Sequence, residues 1–465
     1  MLVNFILPKV IKLNYMINLK SKYLYKMKIH LIAIGGSAMH NLALALHYKG
    51  YSVTGSDDQI FEPSKSRLSE QGLLPRKIGW YEENITTDID AIILGMHAKE
   101  NNPELLKAKE LNLNIYSYPE YIYEQSKKKK RVVIGGSHGK TSITAMILHV
   151  LQHLNIECDY MVGAQLKGFD VMVKLTDHAP IIILEGDEYL SSPIDRRPKF
   201  HLYKPNIGVI SGIAWDHINV FPTFENYIDQ FRIFKNLITD CLIYCEEDSE
   251  LLKLIIEGEN CKTIGYSTPD HSIQNGTTYL NNIPLKIFGD HNLQNLNAAK
   301  MVCYELGVSN KNFMNQIKTF TGASNRLELL RNDNNSAIFK DFAHSPSKLK
   351  ATIKAVKMQF KERKLIACME LHTFSSLNKN FLKQYKNSMN DADEAIVYFS
   401  LEAIKHKGLE PISKDDVRFA FNKKNLTIIT DNNQLKKHLK KIYHNNTNLL
   451  LMSSGNFNKI NFNEI

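Results

Sequence analysis

No stretch of this 465-residue chain reaches the roughly 18 consecutive apolar residues that a membrane span requires, so stable membrane insertion is not expected. Cysteine is sparse and scattered, at positions 158, 241, 245, 261, 303 and 368. Only Cys241 and Cys245 stand close, and no second pair follows at zinc-ligand spacing, which argues against a cysteine-built metal site. Reduced, mostly buried thiols in a cytoplasmic protein are the expectation. Internal repeats, collagen-like or coiled-coil periodicity and long disordered tracts are also absent, leaving the composition of a globular protein with 43% hydrophobic and 23% charged residues. The first 26 residues lack an uninterrupted apolar core, being broken by Pro8, Lys9, Lys12 and Asn14, and lack a small-residue cleavage site. They read as an extension ahead of Met27 rather than as a signal.

One charge sign is in excess: 58 Lys+Arg against 48 Asp+Glu gives +10. The lysines are spread along the chain without forming a basic stripe, so a nucleic-acid partner is not expected.

What is present is an alternation of strands and helices in three sections, an α/β pattern with parallel sheets. The first section, residues 27–126, opens with an apolar strand near Ile29 to Ile34, a small-residue turn at Gly35-Gly36-Ser37-Ala38, and a helix over 39–47. A second strand then ends at Asp57, completing a βαβ unit. A dinucleotide fingerprint would place glycine where Ala33 and Ala38 stand, so this turn reads either as tight packing or as a diphosphate-binding helix start with Asp57 near a ribose or base. The second section, 127–321, follows the basic run Lys127 to Lys130, which reads as a solvated linker. The third, 322–465, carries its own alternation, with strands at 337–340, 364–369, 394–399, 427–429 and 448–452.

The most informative stretch is Gly135-Gly136-Ser137-His138-Gly139-Lys140-Thr141-Ser142, between a β-branched strand and a predicted helix to Leu154. Glycines let backbone N–H groups curl around phosphate oxygens, and the helix start adds a favourable dipole. Lys140 would reach the β- and γ-phosphates and the Thr141 hydroxyl a Mg²⁺ ion. Ile134 replaces the first glycine of the full Walker pattern, so the loop is shortened. A nicotinamide oxidoreductase, resting on residues 33–57, would leave this Gly-Lys-Thr without a role.

Six segments then occur in an order that resembles the Mur ligases. They are the phosphate loop, Glu185-Gly-Asp-Glu188, Asp216-His217, Gly289-Asp-His-Asn292, Arg326-Leu-Glu328 and Asp341-Phe-Ala-His344-Ser-Pro346. The resemblance covers nearly everything after Met27. It implies a Rossmann-like N-terminal domain that binds a UDP-sugar, a central P-loop ATPase-like domain and a small Rossmann-like C-terminal domain. It also implies an ATP- and Mg²⁺-dependent amide ligase working through an acyl phosphate. By resemblance, Gly136, Ser137, His138, Gly139, Lys140, Thr141, Ser142, Asn292, Arg326 and Asp341 would hold ATP. Lys140, Glu185, His217, Arg326 and His344 would carry the chemistry. Thr141, Glu185 and His217 would hold metal; read alone, Glu185 is equally an exposed acidic turn and His217 a buried structural histidine.

Many family members carry a carbamylated lysine whose matching place here is Gln230. The branch that lacks it acts directly on UDP-N-acetylmuramate, and Gly35, Gly36, Ser37, Ala38, Asp57 and His97 are the matching sugar-nucleotide candidates. Within that branch the amine is L-alanine or the tripeptide L-alanyl-γ-D-glutamyl-meso-diaminopimelate. The long segment Tyr189–Tyr203, with its Asp195-Arg-Arg-Pro-Lys-Phe200 core, resembles the tripeptide enzyme and puts Ser192 and Arg196 forward as substrate contacts.

Overall fold

The structure is a computed structural model that describes residues 26–465 apart from 167, 216–219, 259, 324–325 and 334. Among the described residues two compact units result: residues 26–127 with 171–178 and 190–197, and residues 128–170, 179–189 and 198–465.

In the first unit four strands form a parallel sheet in the order Ser52–Ser56, Lys28–Ile32, Ala91–Leu94, Ile115–Ser117. Ile92, Ile93 and Leu94 are successive and all fully buried, which means both faces of the strand are covered. That is why its sequence runs apolar instead of alternating. Ala33 follows the first strand at φ +70, the left-handed region that glycine occupies freely. The alanine noted as a departure from the glycine fingerprint thus keeps the backbone shape at some local strain.

The second unit carries two large sheets. In one, strands run parallel in the order Lys262–Tyr266, Cys241–Cys245, Ile207–Ile210, Lys130–Gly135, Ile181–Glu185, Asp159–Met161. The chain leaves the central strand, Lys130–Gly135, where strand order reverses, the position at which doubly wound sheets open a crevice. In the other, the order is Glu328–Asp333, Ser336–Asp341, Thr447–Met452, Lys364–Glu370, Glu394–Tyr398, Thr427–Ile429, parallel except for the antiparallel first pair. Each face of this sheet buries its own apolar cluster, one around Phe339, Leu365 and Val397 and one around Ile338, Ile366 and Ile396.

Three features differ from the sequence expectations. A small antiparallel sheet of Ser272–Gln274, Thr277–Leu280 and Ile283–Leu285 lies within the second section. Its strands are three or four residues long, too short for their period to show. The run Lys127 to Lys130 is not wholly solvated: Lys129 is buried and its ammonium lies 2.7 Å from the buried Asp159 carboxylate. Finally, Leu190–Arg197 belongs to the first unit although it lies between strands of the second section. All six cysteines are free thiols, and five are buried. No described helix is long and apolar enough to cross a membrane.

Candidate active site

The phosphate loop leaves the central strand at Gly135 and enters the helix Lys140–His153. Gly136 has φ +120, and a Cβ there would meet the Ser211 side chain and lie 2.7 Å from the Ser211 nitrogen. Gly139, at φ +80, is the helix N-cap, and its Cβ would collide with Asn295. Both positions need glycine for conformation and for space. The Gly136→Ala variant should weaken binding of a non-hydrolysable ATP analogue about tenfold or more in titration calorimetry, because strain of this kind costs on the order of 1–3 kcal/mol. Unchanged affinity would remove the phosphate-cradle assignment.

Helix starts point to the same place. The helices beginning at Pro103, Tyr118, Phe224, Ser249 and Asn310 are each closed by a side-chain cap. Those beginning at Lys140, Asp290 and Pro346 have no such cap, so their first N–H groups stay open to a ligand. Residues from the starts of all three helices line one cavity of about 520 Å³.

Around that cavity the structure gathers Ser137, His138, Gly139, Lys140, Thr141, Ser142, Glu185, Asn292, Arg326 and Asp341 from five separated parts of the sequence. The Thr141 hydroxyl donates to Glu185 Oε1 at 2.8 Å, and Glu185 Oε2 accepts the Gly163 N–H at 2.8 Å. Hydroxyl and carboxylate oxygens set side by side are the hard donors Mg²⁺ prefers. His217, the third expected ligand, lies outside the described residues, and among those described no group of three or more His, Cys, Asp or Glu is poised to hold a metal. Lys140 Nζ donates to the Gly136 carbonyl at 2.7 Å and to Glu188 Oε2 at 2.6 Å. Burial acts against its charge, yet Glu188, Asp187 and Glu185 outweigh it and raise the Lys140 pKa. Although burial opposes ionisation, Lys199 and Lys140 hold the Asp187 carboxyl at about 2.

Just before the third sheet's first strand, the Arg326 guanidinium stacks 4.7 Å from the centre of the Phe342 ring. Asp341 is buried and accepts the N–H groups of Leu327 and Ala343, each at 2.7 Å. Its carboxylate therefore shapes the loops beside the cavity as well as facing it. Asn292 donates to the Phe288 carbonyl at 3.0 Å. An adjoining cavity of about 260 Å³ opens between Gly289, His291, Gln294, Ala355 and Met358. Burial lowers the His291 pKa, so that imidazole is neutral at pH 7. His344 departs from expectation. Its Nδ1 lies 2.7 Å from the Phe342 carbonyl and its ring packs edge-on against Phe342, so it is not among the residues lining the large cavity.

Sequence reading assigned no role to Glu188, Asn295 or Lys348. The last two line the cavity, and Glu188 is buried behind Lys140. Lys348 did leave a signal, because a cation in the first turn of Pro346–Gln359 opposes the helix dipole unless an anion lies nearby.

The sugar-nucleotide candidates all fall in the first unit. Ser37 and Ala38 are exposed at the start of the helix Ser37–Tyr48, which has Gly36 as N-cap and no side-chain cap. His97 is exposed, and its ring would lie 3.8 Å from a Cβ at Gly36. Asp57 is buried and accepts the Gly35 N–H at 2.7 Å; burial raises its pKa, and it braces the turn from below. In the loop Leu190–Arg197, Ser192 is buried and accepts the Asp195 N–H at 3.0 Å, so its hydroxyl serves the loop itself. Arg197 pairs with Asp195, while Arg196 is exposed.

Comparison with known proteins accounts for this arrangement. Residues 28–130 match the catalytic domain of the Mur ligase family, 134–303 the Mur ligase middle domain, and 325–455 the Mur ligase glutamate ligase domain. A UDP-N-acetylmuramate–L-alanine ligase of Clostridium kluyveri is 31% identical over 390 residues, covering 80% of this chain and 82% of that protein. The crystal structure of the UDP-N-acetylmuramate–alanine ligase of Thermotoga maritima aligns with a TM-score of 0.67 at 22% identity, over 93% of this chain and 97% of that one. A murein peptide ligase from Psychrobacter arcticus aligns at 0.63 and 22% identity with the same coverage. At such identity these two structures speak for the fold alone. Matched in all three domains, the chain belongs to the Mur ligase family, the ATP-dependent ligases that form amide bonds in peptidoglycan synthesis.

Proposed function

We propose that this ligase joins the carboxylate of UDP-N-acetylmuramate to the amino group of L-alanyl-γ-D-glutamyl-meso-diaminopimelate, in the cytoplasm, where ATP is at hand and its six free thiols stay reduced. One observation carries the ligase reading: Lys140, Thr141 and Glu185 from the phosphate-loop region and Arg326 and Asp341 from the beginning of the third section line a single cavity. ATP, when bound, supplies the phosphoryl group that turns the substrate carboxylate into an acyl phosphate, with ADP and then phosphate leaving. Lys140 and Arg326 neutralise charge on the migrating group. Thr141 and Glu185 would hold Mg²⁺, with His217 the further ligand that the family resemblance implies. The cavity beside Gly289 and His291 takes the adenine, next to Asn292.

The choice of amine rests on the Tyr189–Tyr203 segment. Arg196, exposed on its loop, would offer charge to an acidic peptide. L-alanine is the second reading, favoured because the relatives at about 30% identity bear the name UDP-N-acetylmuramate–L-alanine ligase. Incubating the protein with ATP, Mg²⁺ and UDP-N-acetylmuramate, plus either amine, separates them by product mass. A tripeptide adduct is expected; an alanine adduct would replace it with the second reading. Without an adduct from either amine, the sugar-acid substrate itself would be rejected.

A further inference from the structure

Behind the phosphate loop lies a chain of hydrogen bonds whose direction is fixed. Ala214 N–H donates to Ser137 Oγ at 2.9 Å, and the Tyr227 hydroxyl donates to Glu188 Oε1 at 3.1 Å. Ser137 Oγ and the Tyr227 hydroxyl lie 2.8 Å apart. Because the tyrosine proton goes to the carboxylate, the serine must be the donor between them. Lys140 Nζ donates to Glu188 Oε2, at 2.6 Å, from the other side. Every proton therefore points toward one carboxylate, and each bond polarises the next. Ser137, Glu188 and Tyr227 are 4%, 1% and 0% exposed, so water does not replace these partners.

The consequence falls on Lys140. An ammonium has three N–H donors. One is fixed on Glu188 and one on the Gly136 carbonyl, which leaves a single donor on the cavity side. We infer that Glu188, braced by Tyr227, is a positioning residue for the ligase reaction, anchoring one corner of the Lys140 ammonium while the Gly136 carbonyl anchors a second, so that the third meets the transferring phosphoryl group. The other end of the chain, at Ala214, holds the backbone two residues before Asp216-His217. This inference rests on the proposal that Lys140 meets ATP phosphates.

Its test uses the full chain and two variants, Glu188→Gln and the near-isosteric Tyr227→Phe. Binding of a non-hydrolysable ATP analogue to the unaltered protein is measured first; no binding there would reject the reading of Lys140 and this inference with it. With binding in hand, Glu188→Gln should lower kcat about 30-fold or more, and Tyr227→Phe about fivefold. The KM for UDP-N-acetylmuramate should stay within twofold in both, and Glu188→Asp should recover part of the loss. If both variants melt earlier yet turn over within twofold of the parent per folded molecule, the network is structural only and the inference is overturned.

Discussion

Lys140→Ala should lower ligase turnover by about 10³-fold or more, the scale set when a cation on a migrating phosphoryl group is removed. The same change should also destabilise the second unit. Glu188 is 1% exposed, and losing its cation leaves a buried carboxylate uncompensated, at a cost of about 3–5 kcal/mol. A loss of activity in this variant could then be blamed on unfolding. The double variant Lys140→Met with Glu188→Gln separates the two effects, since it removes both charges and keeps the volume. Its thermal midpoint should return close to the parent value while turnover stays at the level of Lys140→Ala. Phosphate release and circular dichroism on the same samples give both readings. Full turnover per folded molecule in either variant would end the assignment of Lys140 to phosphoryl transfer.

Most of the elements this site is built from were legible in the sequence, for reasons that also explain what was not. Strands such as Val132 to Ile134 and Leu449 to Leu451 are covered on both faces, so they show as unbroken apolar runs. The phosphate loop announces itself because its glycines are required locally, at φ +120 and +80, and its lysine and threonine follow at fixed offsets. The helix expected to run to Leu154 ends at His153, within a residue of that reading. By contrast, the role of Glu188 depends on Tyr227, which is 39 residues away in sequence. The membership of Leu190–Arg197 in the first unit likewise depends on contacts such as Arg197 with Glu120, 77 residues apart. Nothing local encodes such meetings. Asp57 shows a subtler limit: its spacing from the glycine turn was visible, but only the structure reveals that its carboxylate accepts the Gly35 N–H.

Lys129 was read as one of four solvated lysines, and its burial leads to the largest stability effect expected outside the site. Its ammonium lies 2.7 Å from Asp159 and donates to the Ala179 carbonyl at 3.0 Å, with the two side chains 6% and 0% exposed. Three strands start around this pair: Lys130–Gly135, Asp159–Met161 and Ile181–Glu185. Replacing Asp159 by Asn keeps the shape but strands a buried ammonium, so the variant should lose about 3–5 kcal/mol in denaturant unfolding. Converting both partners, with Lys129→Met and Asp159→Leu, should recover most of that, because a well-packed apolar pair avoids the desolvation of two ions. The opposite ends of two of these strands carry the phosphate loop and Glu185, at least four residues away along each strand. Turnover per folded molecule should therefore stay within about twofold of the parent in both variants, since independent sites add. Equal stability of Asp159→Asn and the parent would show that the pair adds nothing to the fold. A turnover loss in the well-folded double variant would show that the starts of these strands set the geometry of the phosphate loop.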